Sequence, residues 1–581
     1  MQKIGLLYHP KIDRSLRLAT DLDSSLRSRG LSTWVGSAWE DEEALMADRR
    51  AWKEVMHHVG TKVMPPAKKK SQPTDEERDI ITAWIEEVVF FVDCSRPDPG
   101  RVTIRRLNRQ EYNNTIRDLI GVNFQPAADF PAPGQQRPLI IGFGPAGIMA
   151  ALVLAQMGLK PIVLERGKDV RQRTKDTWGL WRERKLDTES NVQFGEGGAG
   201  TFSDGKLYSQ VKDKRFLGRK VLTEFVRAGA PEEILTDSKP HIGTFKLVKM
   251  VENMRAEIVR LGGEIRFEQK VETLQRDPTT DGMGQITGVT LHSGETLHSR
   301  HIILAIGHSA RDTFEMLLAQ GIYIEAKPFS IGFRIEHPQS VIDQARFGAE
   351  AGNPILGAAD YSLVHHGKNN RSVYSFCMCP GGTVVAATSE EGAVVTNGMS
   401  QYSRNERNAN SAIVVGIDPQ RDYPGHVFAG IELQRKLERL AFELGGGNYN
   451  APAQLVGDFL ADRPSKALAE VSPSYQPGIT LGDLSKALPP FAIAAIREAI
   501  PVFDKQIKGF AMANAVLTGV ETRTSSPISI KRGSDYQSIN TLGLYPAGEG
   551  AGYAGGILSA GIDGIKCAEA VALNILGAHQ D

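Results

Sequence analysis

The chain has 581 residues, of which 41% are hydrophobic and 23% charged, an ordinary globular composition in a length too great for one core. Its 68 Lys and Arg residues balance 68 Asp and Glu residues, so no net field favours nucleic acid or an acidic membrane. No apolar run approaches the ~18 residues of a membrane span, and the four scattered cysteines form no disulfide framework. We expect a multidomain cytoplasmic protein with neither membrane nor nucleic-acid partners.

The first block, residues 1–46, has the pattern of a truncated α/β segment. A strand is predicted from Ile4 to Tyr8, a helix over about 13–29, and a second strand from Leu31 to Val35. The segment resembles the extreme N-terminus of a bacterial NAD kinase. The glycine-aspartate motif that such kinases need for ATP and catalysis does not follow, so the resemblance carries no kinase activity to this chain.

The second block, residues 47–133, is predicted to be mainly helical with linkers. Thr74 is placed to cap a helix whose apolar positions repeat at helical spacing, namely Ile80, Ile81, Trp84, Ile85 and Val88. A further helix is predicted over 108–120, and PAPGQQR at 131–137 is predicted to be a linker. The block resembles part of a cytochrome-associated planctomycete protein but lacks the C-x-x-C-H haem signal. The neighbouring His57 and His58 point to different helix faces, so no metal site is predicted.

A glycine-rich fingerprint opens the third block. Leu139–Ile141 is an apolar run typical of a buried parallel strand, and Gly142, Gly144 and Gly147 follow in the spacing G-x-G-x-x-G. The glycines permit a tight turn, a close approach by a pyrophosphate and close packing of the next helix on the strand. A helix is predicted over 146–157, and its free N–H groups would face the phosphates.

The fingerprint continues into a second strand that ends at an acid. Residues 161–164 form the strand, and Glu165 follows it at the position that accepts hydrogen bonds from a ribose. Because an acid there disfavours a 2′-phosphate, FAD or NAD fits better than NADP. The agreement of strand, turn, helix, strand and acid predicts a dinucleotide site rather than a structural turn.

Two later motifs indicate which dinucleotide is bound. An apolar strand within 298–312 ends at Ala305-Ile306-Gly307, and a strand within 540–571 runs into Gly548-Glu549 and a glycine-rich helix start. This order is the pattern of two-dinucleotide-type flavoproteins. Together with NVQFGEGGAGTFSDGKLYS (191–209), KPFSIGFRIEHPQSVID (327–343), YSFCMCPGGTVVAATSE (374–390) and VETRTSSPISI (520–530), it makes residues 134–581 resemble a bacterial family of uncharacterised FAD-dependent dehydrogenases.

The resemblance implies an α/β fold. An FAD-binding Rossmann-like domain with a central parallel sheet (134–310 and 531–581) would carry a mixed α+β substrate or cap domain (311–530). Val271, after a helix over 245–261, would meet the adenine through its backbone. The implied FAD-binding residues are Gly142, Gly144, Pro145, Ala146, Gly147, Glu165, Arg166, Val271, Ala305, Gly307, Gly548, Glu549, Gly555, Gly556 and Ile557.

Catalytic residues are not identified by the sequence, but several side chains are candidates. Lys206 would stabilise negative charge on reduced flavin, or be a solvated loop lysine. Asp204 would be an acid/base or, preferably, a turn residue. Arg334 and Arg523 would clamp a substrate carboxylate or, preferably, pair with domain acids. The His365-His366 pair is assigned to a polar loop rather than to a base.

Cys377 and Cys379 are a separate case. On a regular strand the two side chains point to the same face, which brings the sulfurs close together. Thiol chemistry beside a flavin is one interpretation, although the usual motif spaces the cysteines by two residues. Buried inert cysteines are common, and that interpretation is preferred.

The sequence as a whole predicts an FAD-dependent oxidoreductase that transfers hydride between a small organic substrate and non-covalent FAD. Residues 311–530 carry no second fingerprint between a strand and a helix, so a dedicated NAD(P)H domain is not expected. Reduced nicotinamide would bind transiently over the flavin, or else the substrate itself or a protein donor would supply the electrons. The alternatives are a flavin-dependent nucleic-acid-modifying enzyme and a non-catalytic FAD-binding protein. No oligomeric state is predicted.

Overall fold

The computed structural model describes residues 3–8, 20, 24, 32–37, 49–61, 73–88, 137–209, 211–279 and 283–577. The chain divides into two compact units, Met1–Ile104 and Arg105–Asp581. The predicted helices over 13–29 (apart from Thr20 and Ser24, which are helical) and 108–120 lie outside the described residues, as does the linker before Arg137.

The first unit contains a parallel strand pair and two helices. Strand β1 (Lys3–Tyr8) pairs with β2 (Ser32–Ser37), which begins one residue after the predicted start. Helix α1 (Arg49–Gly60) is followed by α2 (Asp75–Val88). The predicted cap is confirmed: the backbone N–H of Glu77 donates to the Thr74 hydroxyl over 3.2 Å, and the N–H of Thr74 donates to the Glu77 carboxylate over 2.9 Å.

The second unit is built from strands and helices that alternate along the chain. Its strands are β3 (Leu139–Ile141), β4 (Ile162–Leu164), β5 (Glu264–Arg266), β6 (Val271–Pro278), β7 (Gly284–Leu291), β8 (Thr296–His298), β9 (Ile302–Leu304), β10 (Ile324–Ala326), β11 (Phe329–Pro338), β12 (Val364–His366), β13 (Ser372–Cys379), β14 (Gly382–Ala386), β15 (Thr396–Ser400), β16 (Asn408–Ile417), β17 (Ala451–Leu455), β18 (Ile479–Leu481), β19 (Val516–Glu521), β20 (Ile528–Ile530), β21 (Thr541–Leu542) and β22 (Leu544–Pro546). Its helices are α3 (Pro145–Gln156), α4 (Val170–Glu183), α5 (Leu217–Arg227), α6 (Thr244–Arg260), α7 (Arg311–Ala319), α8 (Gln339–Phe347), α9 (Ala429–Leu444), α10 (Val456–Leu460), α11 (Pro490–Gln506) and α12 (Ile557–Ile575).

A five-stranded parallel sheet in the order β22-β9-β3-β4-β5 forms the centre of one half of this unit. The apolar strands are buried on both faces, as expected of a parallel sheet. Helices α3, α6 and α12 cover one face, where Ile140 and Val163 lie in their shared core. Strands β6 and β7 of a four-stranded sheet cover the other face, where Leu139 packs with Val289. The predicted Rossmann-like fold is confirmed.

The other half of the unit is a seven-stranded sheet in the order β12-β13-β16-β11-β19-β17-β18. Its neighbours run antiparallel except for β17 and β18, which are parallel. Its core also contains α11, whose residues Ile496 and Phe503 are fully buried. The predicted mixed α+β architecture beside the parallel sheet is therefore present.

Helices α3 and α12 pack closely, with the first turn of α3 against a residue two turns inside α12. A Cβ atom added at Gly564 of α12 would lie 2.1 Å from the carbonyl oxygen of Ala146 in α3. This contact requires glycine, because a Cβ atom cannot be accommodated at that distance. Among the residues that the structure describes, no helix is long and apolar enough to cross a membrane.

Candidate functional site

A cavity of about 920 Å³ lies at the carboxyl edge of the parallel sheet. The residues that follow β3, β4, β9 and β22 line it, which is where open α/β sheets bind ligands. Tyr374, Phe376 and Cys377 from β13, Asn397 from β15 and Glu521 from β19 also line it. Both halves of the second unit therefore contribute to one cavity.

The glycine-rich turn after β3 is held by close backbone contacts. Gly142 has φ of +98°, and a Cβ atom there would lie 2.4 Å from the carbonyl oxygen of Ala305. A Cβ atom at Gly147 would lie 2.0 Å from the carbonyl oxygen of Gly142, so this glycine serves helix packing and does not line the cavity. Gly144 lines the cavity beside Gly198.

Two helix N-termini face the cavity. Helix α3 begins at Pro145 after Gly144, and α12 begins at Ile557 after Gly556; neither glycine provides a side-chain cap. The cavity is lined by Pro145 and Ala146 from the first helix and by Gly555, Gly556 and Ile557 at the second. The positive ends of two helix dipoles and their free N–H groups make this region suited to an anion such as a pyrophosphate.

Glu165 lies at the end of β4, buried and within the cavity lining. One carboxylate oxygen accepts the N–H of Phe143 over 2.8 Å, and the other accepts those of Gly167 (2.9 Å) and Gly195 (3.0 Å). The acid therefore ties the glycine-rich turn to Gly195, which lies in the segment 193–206 of the stretch quoted above for residues 191–209. A carboxylate has about four lone-pair sites, so Glu165 keeps acceptor capacity for a ribose.

The adenine-side candidates also reach the cavity. Arg166 lies 4.1 Å over the Phe194 ring and is held by carboxylates of Glu189 (2.7 Å) and Asp312 (2.9 Å). This pairing overcomes burial and raises the pKa of Arg166. Val271 is the first residue of β6, and it lines the cavity together with Ala305 and Gly307.

Gly548 and Glu549 follow β22 and line the cavity near the first turn of α3. Burial raises the pKa of Glu549 to about 7, although the nearby Lys327 acts in the opposite direction. The carboxyl group is therefore poised to titrate near neutrality in the structure without a cofactor.

Lys206 and Asp204 are part of a buried polar cluster rather than an exposed turn. Both line the cavity; Asp204 is ion-paired with Arg404 over 2.8 Å, and Lys206 Nζ lies 3.8 Å from the Asp204 carboxylate. The other oxygen of Asp204 has no hydrogen-bond partner among the described residues. Burial acts to lower the pKa of Lys206, but the Cys379 and Cys377 thiols and Asp204 raise it overall.

The two cysteines do not follow the regular alternation that the sequence predicted. A bulge interrupts β13, because Phe376 faces Ala412 of β16 while Cys379 faces Asn410. Cys377 has φ of +46° and lines the cavity, whereas Cys379 is fully buried and does not line it. The Cys379 thiol donates to the carbonyl oxygen of Cys377 over 3.3 Å. The neighbouring Cys379 thiol and the charges of Lys206 and Arg334 place the pKa of Cys377 well below its ordinary value.

The two candidate arginines pair with domain acids, the preferred of their two interpretations. Arg334 is fully buried and donates to Glu521 over 3.0 Å. Arg523 lines the cavity and donates to Glu438 over 2.8 Å, and Arg311 donates to the same carboxylate over 2.8 Å.

The predicted histidine pair, His365 and His366, is not among the described residues that line the cavity. His365 contacts Glu498 over 3.2 Å, His366 contacts Ser372 over 2.9 Å, and both belong to β12 rather than to a loop.

Sequence reasoning missed His308, which lines the cavity beside Ser309. Burial and the charges of Arg523 and Arg311 lower its pKa to about 3, so the imidazole is neutral. No local motif marks it, because its setting depends on residues far away in the chain.

The residues of the cavity fit a dinucleotide. The volume of about 920 Å³ lies near the top of the ~300–1,000 Å³ range of small-molecule sites. At Gly555 and Gly556 an added Cβ atom would meet nothing within 4 Å, so space is open beside the first turn of α12. Uncapped helix ends, an acid after the second strand and this open space are the features that such a ligand requires.

Comparison with known proteins identifies the family. The profile of "FAD-dependent protein, C-terminal domain-like" matches residues 328–524, and that of "Protein of unknown function (DUF1587)" matches residues 105–137. An uncharacterized protein of Clostridium beijerinckii is 52% identical over 434 residues, which are 74% of this chain and 80% of that protein. The chain belongs to this family of FAD-dependent proteins. The predicted cofactor, FAD, is confirmed.

Solved structures similar to this flavoprotein are distant. A flavoprotein/dehydrogenase from Cytophaga hutchinsonii is 12% identical with a TM-score of 0.33, over 77% of this chain and 80% of that one. CtdE in complex with FAD is 12% identical with a TM-score of 0.29 (76% and 84%), and halogenase PltM is 13% identical with a TM-score of 0.35 (76% and 69%). At such scores no activity or substrate is inferred from them. The NAD kinase and planctomycete resemblances stay predictions.

Proposed function

We propose that this flavoprotein is an oxidoreductase that transfers hydride between a small organic substrate and non-covalently bound FAD. The observation that carries the proposal is the shared cavity: one part is lined by the glycine-rich turn and helix N-termini, another by side chains of the seven-stranded sheet. When bound, FAD supplies a group that accepts or donates hydride. Residues 134–310 and 531–581 would hold it, and residues 311–530 would form the substrate side.

Different residues along the cavity would bind different parts of FAD. The N–H groups at the start of α3 would bind the pyrophosphate, and the start of α12 would point at the flavin. Glu165 would accept hydrogen bonds from the ribose. Arg166 and Val271 would border the adenine. Ala305 and Gly307 would lie over the cofactor, Gly548 and Glu549 beside the ribityl chain, and Gly555 to Ile557 at the flavin ring.

The substrate side combines aromatic and charged groups. Tyr374 and Phe376 line it with Asn397, and Arg523 adds a buried positive charge that Glu438 partly balances. Lys206 would place a fixed positive charge in the cavity, where negative charge builds up on reduction. A polar, partly apolar cavity of this kind suits a small anionic or polar metabolite better than a polymer. NAD(P)H is proposed as a transient electron donor that uses the same open space.

The first experiment identifies the cofactor and then the reaction. The purified full chain is expected to be yellow and to release FAD rather than FMN on heating, because the AMP-side features are present. The bound FAD is then mixed anaerobically with NADH, NADPH and a panel of small metabolites, and bleaching of the flavin absorbance is followed by stopped flow.

Bleaching by one metabolite or nicotinamide, at a rate that saturates with its concentration, supports the proposal. Release of FMN, or a colourless chain with bound NAD, would contradict the cofactor assignment. A chain that holds FAD but is bleached by no member of the panel would favour the non-catalytic alternative. RNA binding that persists at moderate salt would favour the nucleic-acid alternative.

A further inference from the structure

Strand β13 presents an unusual backbone at the cavity wall. Cys377 adopts φ of +46°, which a residue with a side chain rarely does, and the bulge that contains it adds one residue opposite β16. Two donors hold the Cys377 carbonyl: Arg334 Nη1 at 2.9 Å and the Cys379 thiol at 3.3 Å. Strained positions of this type persist where the surroundings fix them and are concentrated at functional sites.

The bulge gives the two thiols different surroundings. Cys377 is half-buried and lines the cavity, while Cys379 is fully buried with its thiol 3.3 Å from the Cys377 carbonyl oxygen. Lys206 and Arg334 supply positive charge around the pair, and Asp204 and Glu521 supply negative charge. A purely structural cysteine looks different in this chain: burial raises the pKa of Cys567, which lies within α12.

We propose that Cys377 and Cys379 form a redox-active dithiol that exchanges two electrons with FAD bound in the same cavity. The inference rests on the FAD site of the proposed function but not on its substrate. In the oxidising direction, the Cys377 thiolate and the Cys379 thiol form one sulfur–sulfur bond and release one proton. The two electrons and that proton pass to FAD, so the products are the disulfide and reduced FAD. The reverse step reduces the disulfide with reduced FAD.

The geometry assigns different roles to the two sulfurs. Cys377 meets the cofactor or a thiol substrate because it lines the cavity, and Cys379 is the resolving thiol because it is covered. A thiolate rather than a thiol is the reactive species, and positive charge beside the cavity stabilises it. The substrate class that follows is a small disulfide or thiol.

The decisive measurement is the number of electrons that the FAD-loaded chain accepts. The full chain is oxidised, freed of excess oxidant and titrated anaerobically with dithionite while the flavin absorbance is followed. A redox-active pair doubles the uptake relative to flavin alone. In the same samples, mass spectrometry of the peptide that contains residues 377–379 should show two hydrogens fewer before reduction than after it.

Cysteine variants show which groups accept the two electrons beyond those taken up by the flavin. The double variant C377S/C379S is expected to take up only the electrons of its flavin, while C567A, which removes a cysteine outside the cavity, keeps the doubled uptake. The titration and peptide mass of the unchanged chain decide the question even if the double variant does not fold. Doubled uptake that survives in C377S/C379S would overturn the proposal.

A second readout follows the thiolate itself. Alkylation of Cys377 by iodoacetamide, measured on that peptide between acidic and alkaline pH, should remain fast well below the pH at which an ordinary thiol reacts. The variant K206M should shift this profile to higher pH by removing one neighbouring positive charge, with Arg334, Asp204, Glu521 and Cys379 unchanged. An ordinary profile in the unchanged chain would contradict the thiolate role.

The outcomes separate the two proposals. A chain that binds no FAD overturns the FAD site and the dithiol inference together. A chain that holds FAD but takes up only the flavin's electrons, with no change in peptide mass, overturns the dithiol inference alone. Doubled uptake in a chain whose flavin no panel metabolite reduces would support the dithiol and overturn the hydride-transfer proposal.

Discussion

At the scale of single residues, Glu165 shows how one side chain serves both the fold and the ligand. Its carboxylate accepts three backbone N–H groups from the glycine-rich turn, the residues after β4 and the 193–206 segment. A carboxylate bond to a ribose hydroxyl would add to these. The sequence predicted only the ribose role, because the position after the second strand marks it while the contact with Gly195 depends on distant chain.

Replacing Glu165 by Ala should lower FAD affinity at least ~10-fold, since hydrogen bonds to a charged group contribute about 1.5–3 kcal/mol each. Apoprotein stability should fall as well, because buried N–H groups lose their acceptor. The measurement is FAD titration of the apoprotein, with thermal unfolding in parallel. E165Q keeps one acceptor oxygen, so its FAD affinity and stability should lie between those of E165A and the unchanged chain. E272A, at an exposed carboxylate, should behave as the unchanged chain. Unaltered affinity in E165A would exclude the ribose role.

Gly556 offers the opposite test, because nothing in the protein requires a glycine there. Its φ of 175° is extended, and an added Cβ atom would meet no atom within 4 Å. G556A should leave the unfolding temperature of the apoprotein unchanged but weaken FAD binding by roughly 5- to 150-fold, the effect of about 1–3 kcal/mol of overpacking in a filled site. Unchanged FAD affinity would show that the cofactor does not reach the first turn of α12.

Because the pKa of Glu549 is raised, we expect the stability of the apoprotein to depend on pH. Burial raises its pKa to about 7 from the ordinary value of 4.5, so the folded chain binds this proton more tightly than the unfolded chain does. Stability from this group is therefore fully present below about pH 4.5 and is lost as the pH rises through about 7. E549Q should match the unchanged apoprotein at the acidic end and exceed its unfolding temperature above neutrality. E443Q, at an exposed glutamate, is the control, and parallel curves for E549Q and the unchanged chain would refute the effect.

At the scale of elements, the contact between α3 and α12 fixes the positions of two helix N-termini at once. Gly564 lies a full two turns inside α12 and away from the cavity, yet a Cβ atom there would meet the Ala146 backbone at 2.1 Å. G564A should push the helices apart, lower stability by about 1–3 kcal/mol and weaken FAD binding without touching the ligand. G416A, at an extended strand position with no atom within 4 Å of the added Cβ, should leave both unchanged. Thermal unfolding and FAD titration measure the two effects.

The helices and strands also show which parts of the fold can be predicted from local sequence patterns. The buried strands β3, β4 and β9 and the helices α3 and α6 stand within a residue or two of their predicted positions, because apolar runs and the fingerprint are local signals. The bulge in β13 was not predicted, and the assumption of regular alternation for Cys377 and Cys379 was wrong. A bulge depends on register against β16 and on the two donors to the Cys377 carbonyl, neither of which the local sequence shows.

At the scale of the whole molecule, a net charge of zero does not show how the charged side chains are distributed. The chain has no formal net charge, but Arg311, Arg523 and Glu438 form a buried network where the seven-stranded sheet meets the cavity. Removing one partner from such a network is costly because it leaves a buried charge without compensation. Glu438 has no sequence motif, since it lies on α9, far along the chain from both arginines, so only the fold brings the three together.

The position of the fingerprint leads to the last prediction. Strand β3 lies in the middle of the parallel sheet between β9 and β4, and the described residues that line the cavity begin at Ile141. Strands β1 and β2 pair with each other in the first compact unit, which ends at Ile104. We therefore predict that residues 1–133 are dispensable for FAD binding.

A chain that starts at Gln135 should bind FAD as the full chain does. The parallel sheet, both helix N-termini and the seven-stranded sheet are all retained, so the cavity keeps every lining residue that the structure describes. The measurement compares flavin content per mole and flavin-release midpoints of the two chains, the latter by thermal unfolding followed through flavin fluorescence. Equal values support independence. Aggregation would indicate that residues 1–134 cover an apolar patch, whereas a soluble chain without flavin would show that they form part of the cofactor site and that the boundary at 133/134 is wrong.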